Sequence, residues 1–72
     1  MANIKWLRQA AKAAEVAAAE AERASDAALE AYMASSTDAD IEVARRLNRE
    51  AREAYQAMLD ARHSLRQAEL GY

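Results

Sequence analysis

The only imidazole in the chain is His63, and Asp60 three residues before it completes a D-x-x-H spacing. On a helix that step places a carboxylate and an imidazole on one face, as in the half-sites of metal-binding helical bundles. Such sites also need glutamates projecting inward from neighbouring helices. The heptad described below turns Asp60 and His63 outward and leaves Ala14, Ala18 and Ala21 to line the core. His63 therefore reads as a surface residue near a helix C-terminus. Ser25, Ser35, Ser36 and Ser64 have local roles available, and with one imidazole they assemble no nucleophile and base. There is no glycine-rich phosphate loop. The expectation is a protein that is not an enzyme and holds no metal or cofactor.

The strongest polar pattern is basic. Arg45, Arg49, Arg52, Gln56, Leu59, His63, Arg66 and Leu70 recur at steps of three and four residues, opposite the apolar heptad, with no acidic residue in the row. A basic helix face can follow phosphates or dock on an acidic protein surface. It can equally be a solvated face held by local pairs, for which Glu42–Arg46 and Arg49–Glu53 have the i,i+4 spacing. Glu50, Glu53 and Asp60 lie one row over and dilute the positive field, which favours a protein over a nucleic acid. The candidate partner-binding residues are accordingly Arg45, Arg49, Arg52, Gln56, His63 and Arg66. Glu22, Asp26 and Glu30 form an acidic row on the other helical segment. Folded back, they stand level with Arg52, Asn48 or Arg49, and Arg45, and interhelical or intersubunit pairs are expected there. Trp6, beside Lys5, Arg8 and Lys12, has the look of a membrane-surface anchor. The apolar face weakens to alanine directly afterwards, so Trp6 is expected to close the end of a hairpin against Leu70 and Tyr72.

These groups need a scaffold, and composition names its class. The 72 residues contain no cysteine, no proline and one glycine, with 10 basic against 12 acidic residues for a net charge of −2. No disulfide framework or thiolate metal site is available, and the charge balance marks neither a polycation for nucleic acid nor an acidic mimic of it. Abundant Ala, Glu, Arg, Leu and Gln specify long helix or coiled coil. No apolar run approaches the roughly 18 residues of a membrane span, and Lys5, Arg8 and Lys12 interrupt any signal-peptide core. A cytoplasmic protein without membrane attachment is expected, and the usage suits a high-GC bacterium, phage or plasmid.

One break divides the chain. Ser35, Ser36, Thr37, Asp38 and Asp40 gather between two helical patterns. Thr37 is placed to cap a second helix by accepting from the N–H of residue 39 or 40, with Asp38, Asp40 and Glu42 on the positive end of its dipole. The first helix is expected over about 3–35, the turn over 35–38, and the second helix over about 38–70, stopped by Gly71. Helices of about 32 residues are roughly 48 Å long, and a short link makes them antiparallel. In the second, Ala44, Leu47, Ala51, Ala54, Met58, Ala61, Leu65 and Ala68 form one unbroken heptad series. The first admits two. One is Ile4, Leu7, Ala11, Ala14, Ala18, Ala21, Ser25, Ala28, Tyr32; the other is Leu7, Ala10, Ala14, Ala17, Ala21, Ala24, Ala28, Ala31.

Eleven alanines between residues 10 and 28 fill little space but allow helix axes to approach closely. A wide, shallow apolar face suits two neighbours, and a chain of this length buries only about 60% of the surface it exposes when unfolded. The expected architecture is an all-α antiparallel two-helix hairpin with an alanine-rich seam, a single unit over residues 1–72, dimerising into a four-helix bundle. The expected role is that of a small helical regulator or inhibitor that binds a protein partner through an outer helix face. The alternatives are an RNA- or DNA-binding hairpin dimer using the Arg stripe, and a purely structural oligomerisation module.

Overall fold

A computed structural model describes residues 4–71, which form two helices, α1 (Ile4–Ser35) and α2 (Asp38–Glu69), packed against each other as a hairpin. The helix start expected at Asn3 and the Tyr72 expected against Trp6 lie outside the described residues. Each helix has 32 residues, and the hairpin measures 52 by 14 by 13 Å.

The turn follows from its side chains. α1 ends when Ser36 enters the left-handed region at φ 54°, with its N–H still bonded to the Tyr32 carbonyl at 2.7 Å. This is the usual helix stop, filled here by serine instead of glycine. Thr37 then turns extended at φ −92° and ψ 153°, and its hydroxyl accepts from the Asp40 N–H at 3.2 Å. Ser35 Oγ donates to the Asp40 carboxylate and accepts from the Thr37 N–H at 3.5 Å, tying the two helix ends together. Asp38 and Asp40 occupy the first turn of α2, where the exposed N–H groups favour negative charge. At the far end Leu70 is the cap, and Gly71 takes φ 84°, its N–H bonded to the Ala68 carbonyl at 3.2 Å.

Burial decides between the two series of α1. Ile4, Leu7, Ala11, Ala14, Ala18, Ala21, Ser25, Ala28 and Tyr32 are buried or half-buried, whereas Ala17, Ala24 and Ala31 are exposed. The chosen series places Ile4 and Tyr32 against α2, and the rejected one would leave both in water. The rotation of α1 thus turns Ile4 and Tyr32 toward α2, while Trp6, Val16, Leu29 and Met33 stay exposed. On α2 the whole expected series, Ala44 through Ala68, is buried or half-buried. The fully buried residues among those described are Ala11, Ala18, Ala28, Ala44 and Met58. Met58 is thus the one large side chain shielded by both helices. Trp6 and Leu70 are 62% and 63% exposed. No helix of the described residues is long and apolar enough to cross a membrane.

Candidate interaction groove

Among the described residues two cross-helix ion pairs bridge one side of the hairpin. Arg8 meets Glu69 at 3.3 Å, and Arg62 meets Glu15 at 2.9 Å with a second bond from Nε at 3.0 Å. The two pairs stand seven residues apart on each helix, which is two turns, so they are successive rungs of one ladder on one face. Each joins residues whose numbers total 77, whereas the expected pairing of Glu22 with Arg52 totals 74. Long side chains account for the offset, since they lean along the helix to reach each other.

The same step places the next rungs at Glu22 with Tyr55 and at Leu29 with Asn48. Neither is an ion pair. Where the ladder stops, the helices are separated by a groove of about 710 Å³ that continues into a second of about 370 Å³, the two sharing Ser25 and Asn48. Ala18, Ala51 and Met58 lie along the floor of the larger one, between the helices. Its α1 wall carries Glu15, Glu22 and Asp26, and its α2 wall carries Arg52, Gln56 and Arg62. The smaller groove, toward the turn, is lined by Leu29, Tyr32, Ile41 and Arg45. Tyr55 and Leu29 are 55% and 50% exposed despite their size.

The structure therefore divides the basic stripe. Arg45, Arg52 and Gln56 line the grooves, whereas Arg49, His63 and Arg66 are exposed and lie outside them. The stripe does not stand directly opposite the buried face of α2; part of it flanks the line along which the helices meet. The anticipated ion pairs of Glu22, Asp26 and Glu30 with Arg52, Asn48 or Arg49, and Arg45 do not form. Among the described residues those three carboxylates and Arg52 make no ion pair. Tyr55 and Met58 line the groove between these charged rims. The local pairs also differ from expectation, because Glu42 bonds Arg45 at 3.8 Å instead of Arg46, and Arg49–Glu53 is not formed. Asp60 accepts from Gln56 Nε2 at 3.0 Å, an i,i+4 contact along the helix surface.

Arg62, Glu15 and Met58 complete the groove and were not singled out as binding residues by the sequence pattern. A signal for the ladder exists, in opposite charges repeating every seven residues at 8 and 15 on α1 and at 62 and 69 on α2. Chemically, the groove offers an apolar floor between one acidic and one basic wall, suited to another helix of mixed character. Comparison with protein-family models, curated proteins and solved structures finds no match to this chain.

Proposed function

We propose that this chain is a non-enzymatic, cytoplasmic protein-interaction module, a small helical regulator or inhibitor that docks a protein along the grooved face. The observation that carries the reading is the pairing of walls: Arg52, Gln56 and Arg62 share one groove with Glu15, Glu22 and Asp26. A polyanion would gain from the arginines and be repelled by the carboxylates beside them. A protein helix with both signs of charge and an apolar edge meets favourable groups on either wall and covers the exposed Tyr55 and Leu29. The alanines serve this role by letting α1 and α2 approach closely, and the assembly is a homodimeric four-helix bundle.

A photocrosslinking amino acid at Gln56, inside the groove, tests the reading against Glu50, which is exposed and outside it. The expected result in cells is discrete protein adducts at position 56 and few at position 50. Nuclease-sensitive adducts, or equal capture at both positions, would overturn it.

A further inference from the structure

We infer that the groove is filled by a second copy of the same chain, related by a two-fold axis that runs parallel to the helices. The inference rests on the reading of this face as a protein-docking surface, and it specifies the occupant and the symmetry. The charge pattern selects both. Two copies can meet face to face about an axis lying across the helices or along them. An axis across the helices lays α1 on α1 and α2 on α2, setting acidic wall against acidic wall and basic against basic. An axis along the helices lays α1 of each copy on α2 of the other at the same height.

Heights follow from the ladder. Glu15 meets Arg62 at the side-chain tips, so by the same step Glu22 reaches the height of Tyr55 and Asp26 that of the segment carrying Arg52. About the lengthwise axis, Asp26 of each copy then meets Arg52 of the other, and Glu22 meets the phenol of Tyr55. These are the groups that the chain by itself leaves without ion-pair partners on this face. Opposite signs on opposite walls are what a two-fold interface needs to be complementary to itself, and like-charge contact penalises the alternative. Leu29 and Tyr55, half-exposed in the single chain, lie on the covered face.

Area agrees with this. The single chain exposes 5583 Å², against about 4,400 Å² for a compact monomer of its mass. The surplus of about 1,200 Å² per chain exceeds the roughly 600 Å² that each partner buries at the lower end of specific, stable interfaces.

The experiment combines light scattering, a spin label and charge reversal. At tens of micromolar the parent should scatter as about twice its chain mass. Ala39→Cys places a label on an exposed site at the turn end of α2, outside the grooves. The lengthwise axis brings both turns to one end, so the labels should lie within about 30 Å, roughly two and a half to three helix diameters. The crosswise axis would separate them by most of the 52 Å length of the hairpin. Glu22→Arg with Asp26→Arg should give a monomer, as should Arg45→Glu with Arg52→Glu, and mixing the two should restore the doubled mass. If circular dichroism shows either reversal to be unfolded, Glu22→Gln with Asp26→Asn takes its place and should raise the dissociation constant at least tenfold. A monomeric parent, labels near 50 Å, or charge changes that leave the mass unaltered each overturn the inference. A monomeric parent whose Gln56 crosslinker still captures another protein removes the second copy and leaves the docking reading standing.

Discussion

Among the described residues Met58 is the one buried side chain larger than alanine, at 8% exposure, while its neighbour Leu59 is 38% exposed. Met58→Ala therefore measures how much of the hairpin's stability depends on one knob set among alanines. The change removes three heavy atoms beyond Cβ, which at about 0.8 kcal/mol for each methylene-sized group is about 2.4 kcal/mol of transfer free energy. A closed cavity would add to this, and buried methionine truncations span about 2 to 5 kcal/mol. Here Met58 borders an open groove that water and the Tyr55 ring can enter, so the cavity contribution is small. The expected loss is about 2 to 3 kcal/mol, near the lower end of that range. In a domain of this size, each kcal/mol lowers Tm by about 4 to 8 °C. Leu59→Ala should cost about 1 kcal/mol or less, because much of its surface is already in water. Urea unfolding followed by circular dichroism, run at two protein concentrations to separate folding from association, supplies both values. Equal losses for Met58→Ala and Leu59→Ala, or a Met58→Ala loss under about 0.5 kcal/mol, within the range of ordinary surface changes, would refute the assignment of Met58 to the core.

Two further outcomes follow from the same packing. Ala18→Leu drives a larger side chain into a position 8% exposed and should cost about 1 to 3 kcal/mol, whereas Ala27→Leu, exposed and away from the groove, should be near neutral in thermal melts. Thr37→Ala removes the acceptor for the Asp40 N–H and should lower stability by about 1 kcal/mol. Thr37→Ser should retain most of it, and equal melting of all three proteins would show that the cap is idle.

Local chemistry determined much of this molecule before any packing was considered. Helix propensity and the absence of proline make the two long segments helical. The Ser-Ser-Thr-Asp cluster and Gly71 mark their ends, because capping depends on residues adjacent in sequence. The buried face of α2 is legible for a similar reason: its large residues, Leu47, Met58 and Leu65, occur in one heptad series only. On α1 the pattern is degenerate, since alanine stands at Ala10 and Ala17 as well as at Ala11 and Ala18, and Ala14, Ala21 and Ala28 fit either series. Only contact with α2, anchored by Ile4 and Tyr32 at the two ends, settled which set turned inward. Charge pairing was the least legible feature. Row spacing nominated Glu22, Asp26 and Glu30 as partners for the arginines, but a carboxylate bonds whichever cation lies within reach across the helices. Reach depends on the separation of the helices and the lean of long side chains, neither of which is encoded within one helix. Glu15 and Arg8 found partners where the helices lie within reach, and Glu22 did not where Tyr55 takes the facing position.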